Sequence, residues 1–306
     1  MKKHIHAIKK AFVTVFLLLA LPWGMWAYDF TAVAPSGQTL QYTYVNGSSG
    51  SEVYVAGGTG LTGALTIPSS VNYQNHTYTV TSIHNRAFRN ATALTSVTLP
   101  ATITAIESQS FKGCSGLTTV VLGNGVITIG NEAFANCTAL TTATLPNSVT
   151  TIDDDAFSGC TSLASLTLGN GVATIGESAF YGCTSLTTLT IPNSVGTIGT
   201  NAFYNCSGLG TVTIGTSLTF IDQGAFEGCT GVTTLNYNAR NCENRSFIAY
   251  GSYLRGFTYM TNLQTVNIGD SVQTIPEYAF YGLASITQVN ISHSVSAIGR
   301  DAFRNC

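Results

Sequence analysis

The sequence of 306 residues predicts a repeat solenoid, mostly β and irregular structure, with one short parallel β-strand in each 23-residue unit. A phenylalanine recurs every 23 residues in eight of nine intervals, and the ninth interval is 31 residues long. Two further columns keep this register, an aliphatic residue six positions after each phenylalanine and an isoleucine eighteen positions after it. The ten phenylalanines are Phe88, Phe111, Phe134, Phe157, Phe180, Phe203, Phe226, Phe257, Phe280 and Phe303.

Each unit contains one segment with the alternation typical of a strand. In residues 163–168, Leu166 and Leu168 alternate with polar residues, and Gly169 ends the run. One unit cannot cover its own apolar face, so successive units are expected to stack with their strands about 4.8 Å apart.

The recurring string A-F-x-x-C-x-x-L-x-x-L-x-I-P-x-S-V-x-x-I-G, as in residues 179–199, resembles the BspA-like leucine-rich-repeat family of bacterial surface proteins. The resemblance covers residues 83–306. It implies a leucine-rich-repeat solenoid in the form of a curved arc, a secreted or cell-surface location, and roles in adhesion or protein binding. It implies no catalytic residue and no cofactor.

Residues 1–27 have the build of a secretory signal peptide. Four lysines precede the apolar run of residues 11–21, and residues 22–27 lead into a polar segment. The alternative is a membrane anchor, but this run is shorter than the roughly 20 residues needed to span a bilayer. We expect cleavage after Ala27 and no transmembrane segment in the chain that remains.

Residues 28–82 are predicted to form an N-terminal cap with short β-strands, because a solenoid must cover its first unit. The cap includes Gly58-Thr59-Gly60-Leu61-Thr62-Gly63, which matches the dinucleotide fingerprint but precedes a strand pattern instead of a helix. We interpret it as a flexible loop. No comparable cap follows Phe303, and we expect residues 83–306 to be a solenoid truncated at its C-terminal end.

The charge of the chain argues against nucleic acid as a partner. Without residues 1–27, Lys112 and seven arginines face 14 acidic residues, a formal net charge of −6. A mildly acidic surface with one lysine is a poor match for phosphate backbones.

Six cysteines occupy the column three residues after the phenylalanine, and Cys306 is the seventh; other units have Ala91, Met260 or Leu283 there. The position therefore favours an apolar side chain of moderate size, and we predict buried thiols instead of disulfides or a zinc site. Cys242 lies off the column and is predicted to be the most exposed thiol. The triplet Asp153-Asp154-Asp155 is interpreted as a solvated bend, with a lone metal site as the alternative.

The outward positions of the strands form a nearly uncharged lattice of hydroxyls and amides. Plain β-propensity of threonine explains it in one interpretation; a broad docking surface for protein or glycan is the other. The candidate binding residues of the lattice are Thr142, Thr144, Thr188, Thr190, Thr211 and Thr213.

The long interval marks an irregular unit at residues 238–256. Arginine and tyrosine dominate binding hot spots, so this segment either determines partner specificity or packs over the solenoid. Its candidate binding residues are Arg240, Arg245, Tyr250, Tyr253 and Arg255.

These observations predict a non-enzymatic, secreted or cell-surface protein that binds an extracellular protein or glycan, with no metal or cofactor. The alternative is a passive stalk that presents another domain beyond residue 306.

Overall fold

A computed structural model describes residues 28–45, 50–243 and 256–306. This part of the chain consists of β-strands and turns and contains no helix. The first six strands are β1 (Phe30–Val33), β2 (Thr39–Tyr44), β3 (Glu52–Thr59), β4 (Gly63–Thr66), β5 (Ser70–Tyr73) and β6 (His76–Ile83).

The remaining strands alternate between a longer and a shorter strand in most units. They are β7 (Leu94–Thr98), β8 (Ala105–Ile106), β9 (Thr119–Val121), β10 (Thr128–Ile129), β11 (Thr142–Thr144), β12 (Thr151–Ile152), β13 (Ser165–Thr167), β14 (Thr174–Ile175), β15 (Thr188–Thr190), β16 (Thr197–Ile198), β17 (Thr211–Ile214), β18 (Phe220–Ile221), β19 (Thr234–Tyr237), β20 (Thr265–Ile268), β21 (Thr274–Ile275), β22 (Gln288–Ile291) and β23 (Ala297–Ile298).

The longer strands form one wall of a solenoid with ten coils, each coil being one repeat unit. They pair in parallel as two five-stranded sheets, in the orders β13-β11-β9-β7-β4 and β15-β17-β19-β20-β22. Partners are 23 residues apart in most pairs, as in Thr188 with Thr211. They are 31 apart across the long unit, as in Thr234 with Thr265, and 32 apart between β4 and β7, as in Thr66 with Thr98. The predicted solenoid with one parallel strand per unit is confirmed.

The shorter strands form the second wall. Strands β6, β8, β10, β12, β14, β16 and β18 run in parallel and join β1–β3 and β5 in an eleven-stranded sheet. Strands β21 and β23 form a separate pair after the long unit. The isoleucine column lies in this wall, so that Ile129 is opposite Ile152 and Ile175 is opposite Ile198. The side chains of these isoleucines are buried.

The phenylalanine column forms a continuous stack in the core. From Phe88 to Phe226 the ring centroids of successive coils are 5.1 to 5.5 Å apart and the ring planes lie within 21° of each other. Across the long unit the Phe226 and Phe257 rings are 5.9 Å apart and tilted by 41°. The irregular unit therefore disturbs the core as well as the surface.

The cysteine column is buried, as predicted, and each thiol also has a polar partner. The Cys137 Sγ donates a hydrogen bond to the carbonyl oxygen of Phe111, and the Cys160 Sγ to that of Phe134, at 3.2 Å in both cases. Burial raises the pKa of Cys160 to about 12. The column thus selects a side chain that is apolar in bulk but ends in a weak donor.

The predicted exposure of Cys242 is wrong. Its side chain is buried, because it packs against the hydroxyl of the buried Tyr237. The exposed thiol is that of Cys306 in the last described coil.

Proline and glycine alternate in the turn that follows the longer strand. Pro100, Pro146 and Pro192 are each followed, one coil later, by Gly123, Gly169 and Gly215. A Cβ atom at any of these glycines would collide with the carbonyl oxygen of the preceding proline. Each proline turn therefore fits against a glycine turn in the next coil.

The segment predicted as a cap, residues 28–82, contains antiparallel strands. β1 pairs with β2, β2 with β3 and β5 with β6, while β4 and β6 already continue into the two parallel walls. Gly58 lies within β3, so the predicted loop is confined to residues 60–62. The predicted signal peptide lies outside the described residues.

Candidate binding surface

The outward side chains of the ten longer strands form one surface, here called the β-face. Thr142, Thr144, Thr188 and Thr190 are exposed on it, because inward and outward positions alternate along each strand. Thr211 and Thr213 on β17 are half-buried. All six threonines predicted as binding residues therefore face outward.

A boundary divides these threonines into two groups. Strands β13 and β15 are adjacent but belong to different sheets, so Thr142 and Thr144 lie on one sheet and the other four on the next. Leu166 on β13 is half-buried, whereas Leu189 on β15 is buried.

The C-terminal half of the β-face has an amide ladder, which consists of Thr213, Asn236, Asn267 and Asn290. The Asn290 Nδ2 donates to the Asn267 Oδ1 at 2.6 Å, and the Asn267 Nδ2 donates to the Asn236 Oδ1 at 2.8 Å. The Asn236 Nδ2 donates to the Thr213 Oγ1 at 3.0 Å. Asn236 and Asn267 each use one donor and one acceptor site in the ladder, while Asn290 donates in the ladder and accepts from the Gln288 side chain at 3.0 Å. Other polar sites of these amides remain directed to solvent.

One predicted residue of the irregular unit lies in the described part of the chain. Arg240 is exposed and lines an open polar cavity of about 290 Å³ together with Asp270, Ser271 and Gln273. The cavity is next to the C-terminal ends of β19 and β20, where the amide ladder passes. Arg245, Tyr250, Tyr253 and Arg255 lie outside the described residues.

Sequence reasoning missed an aromatic pair that consists of the exposed Tyr181 and the half-buried Tyr204. Their ring centroids are 4.8 Å apart with an angle of 2° between the planes. Both residues directly follow a phenylalanine of the core column. Comparison, coil by coil, of the residues that directly follow the core phenylalanines would have identified the pair.

The acidic triplet Asp153-Asp154-Asp155 lies at a turn, in agreement with its interpretation as a solvated bend. The Asp154 Oδ1 accepts a hydrogen bond from the Glu177 backbone N–H at 2.7 Å, and burial raises the pKa of Asp153 and Asp155. Among the described residues, no group of three histidine, cysteine or acidic side chains is arranged to hold a metal ion. Within the triplet, Asp154 therefore binds the backbone of the next coil, and the Asp155 carboxylate accepts a hydrogen bond from the Ser158 hydroxyl.

The carboxylate of Glu132 is paired with a cation near the N-terminal end of the solenoid. The Lys112 ammonium pairs with the Glu132 carboxylate, which also accepts a hydrogen bond from Gln109 at 2.6 Å. The hydrogen bond from Lys112 lowers the pKa of Glu132.

Within the described ranges, no helix has the length and apolar character needed to cross a membrane.

Comparisons with known proteins agree with this architecture. A family model described as the BspA type leucine rich repeat region matches six copies over residues 67–184, 127–253 and 254–306. The structure of a leucine-rich repeat protein from Bacteroides ovatus is 26% identical, with a TM-score of 0.50, over 91% of this chain and 80% of that one. A leucine rich cell surface protein from Faecalibacterium prausnitzii is 25% identical, with a TM-score of 0.47, over 92% and 93% of the two chains. No curated protein matches the chain.

Proposed function

Because this chain belongs to the BspA-type leucine-rich-repeat family, we propose that it is a non-enzymatic binding protein that acts outside the cell. In this proposal it mediates adhesion through contact with an extracellular protein or glycan. The amide ladder on the C-terminal half of the β-face is the observation that carries the proposal.

The amide ladder is not explained by the intrinsic preferences of strand residues. Threonine suits an exposed strand, but asparagine is depleted in strands. Asn236, Asn267 and Asn290 nevertheless occupy the same outward position in three successive coils. A surface that is held in place by its own hydrogen bonds loses little side-chain freedom when a ligand binds, which favours affinity.

The irregular unit supplies the second part of the proposed contact. Arg240 and the polar cavity are next to the ends of two strands that hold the amide ladder. We infer that Arg245, Tyr250, Tyr253 and Arg255 extend this contact, because arginine and tyrosine are the residue types that most often dominate hot spots.

Surface plasmon resonance against extracellular-matrix proteins and glycans tests the proposal. One variant replaces Asn236, Asn267 and Asn290 by Ala, and a matched control replaces Thr174, which is exposed on the second wall. We expect saturable binding that the asparagine variant weakens at least tenfold and the control retains.

A further variant separates the β-face from the irregular unit. It replaces Arg240, Arg245, Tyr250 and Tyr253 by Ala. Loss of binding in this variant alone would place the contact at the irregular unit and reject the amide ladder. A folded protein that binds none of the probes would contradict the proposal and favour a passive stalk.

A further inference from the structure

The tyrosine pair lies on a different surface from the β-face. Tyr181 is 39% exposed, and its ring stacks in parallel on that of Tyr204 at a distance close to one coil spacing. In this stack, each tyrosine ring covers one face of the other. The second face of Tyr181 is therefore directed toward the preceding coil, where the same column holds Ser158.

The space next to that second face is not filled by the repeat. The two preceding coils have Ser158 and Ala135 in this column, and both side chains are too short to cover a phenol ring. Beside the ring, Gly182 has a positive φ of 70°, and a Cβ atom added there would meet no heavy atom within 4 Å. An aromatic ring thus borders an open slot about one coil thick.

Polar groups with acceptor character border the tyrosine pair. Asp155 is half-buried on the coil before Tyr181, and its carboxylate interacts with the Ser158 hydroxyl. Beyond Tyr204, the Asn201 Oδ1 and the Glu227 Oε2 both approach Gly224. The sequence has no lysine, arginine or histidine between Lys112 and Arg240, and Lys112, whose charge acts on Asp155, is paired with the Glu132 carboxylate.

This chemistry favours one class of ligand. A pyranose ring has an apolar face of C–H bonds that stacks on an aromatic ring, and its hydroxyls donate hydrogen bonds to carboxylate and amide oxygens. Anionic sugars and phosphates are disfavoured, because the nearest charged groups are carboxylates. We propose that the outer face of Tyr181, above Ser158, is a binding site for a neutral pyranose unit of a polysaccharide chain.

Affinity gel electrophoresis of the full chain in laminarin, mannan and hydroxyethylcellulose tests this site, with polygalacturonate as the anionic probe. We expect retardation by at least one neutral polysaccharide and none by polygalacturonate. Tyr181→Ala is expected to weaken binding at least tenfold, equivalent to about 1.4 kcal/mol. Tyr181→Phe keeps the ring and is expected to retain binding.

Ser158→Leu provides a second variant that does not remove the proposed contact residue. Its aliphatic side chain would cover the outer face of Tyr181 without offering a new ring, so we expect it to block binding while the protein stays folded. Tyr281→Ala is the matched control, because Tyr281 is in the same column but packs edge-on against Tyr278, with centroids 5.9 Å apart.

The outcomes are distinct. Loss of binding in Tyr181→Ala and Ser158→Leu, with retention in Tyr281→Ala, supports the site. The proposal is overturned by equal loss in the control, by unchanged binding in Ser158→Leu, by preference for polygalacturonate, or by a folded chain that no neutral polysaccharide retards. The asparagine variant of the β-face is expected to bind these polysaccharides normally, so this test and that of the proposed function fail independently.

Discussion

Replacing Phe180 by alanine is expected to be among the most destabilising single changes in the solenoid. The Phe180 ring is fully buried and stacks on Phe157 and Phe203, with both centroid distances 5.3 Å. Loss of a buried phenylalanine costs about 3–5 kcal/mol through lost transfer free energy and the cavity left behind. Rings stacked on both sides favour the upper part of this range, since each aromatic pair adds about 0.5–1.5 kcal/mol.

Phe303→Ala is the matched control, because Phe303 is half-buried and stacks on Phe280 alone among the described rings. We expect it to cost less than half as much as Phe180→Ala. Urea denaturation monitored by far-ultraviolet circular dichroism measures both changes, with tyrosine fluorescence as a second probe of two-state behaviour. Equal losses at the two positions, or a loss below about 1 kcal/mol for Phe180→Ala, would refute the reasoning from the stack.

Three other predictions concern stability. The pKa of Cys160 in the folded state, about 12, exceeds the unfolded value of about 8.5. The free energy of unfolding should therefore fall as pH rises above about 9. Midpoints of urea denaturation measured from about pH 7 to 10.5 should fall less steeply in Cys160→Ala than in the unchanged protein. The hydrogen bond from Lys112 lowers the pKa of Glu132, so the stability that this carboxylate contributes is present above about pH 4.3 and lost on acidification. Glu132→Gln should lower the free energy of unfolding by at most about 1 kcal/mol at pH 7. In the same urea titrations, the stability of this variant should change less between neutral and acidic pH. Gly169→Ala should lower the melting temperature by several degrees through its backbone collision, whereas Gly196→Ala, with its nearest neighbour at 3.9 Å, should change it little in calorimetry.

The fold could be predicted in detail because each coil repeats the same apolar positions. The spacing from Phe88 to Phe226 fixes the register of both walls, and the isoleucine column then falls opposite itself in successive coils. The cysteine column was predicted to be buried for its size alone. Its hydrogen bond to a carbonyl of the preceding coil depends on three-dimensional geometry that spacing does not reveal.

The binding surface could be predicted only in part. Alternation along a strand was enough to place Thr188 and Thr190 outside. The ladder through Asn236 depends on side-chain orientation across coils, and the exposure of Tyr181 depends on the small side chain in the coil before it. Cys242 was misjudged because its burial depends on a contact with Tyr237 within a unit that departs from the repeat.

The alternation of proline and glycine turns has a consequence for how such a chain changes its length. In the coils from Pro100 to Gly215, a side chain at each glycine turn would collide with the carbonyl oxygen of the proline turn before it, so adjacent coils such as those of Pro146 and Gly169 form an interlocked pair. Removal of one coil would bring two turns of the same kind together, whereas removal of two would restore the fit. In this region, duplication or deletion in evolution should therefore proceed by pairs of coils, and engineered solenoids of other lengths should be assembled from the same pairs.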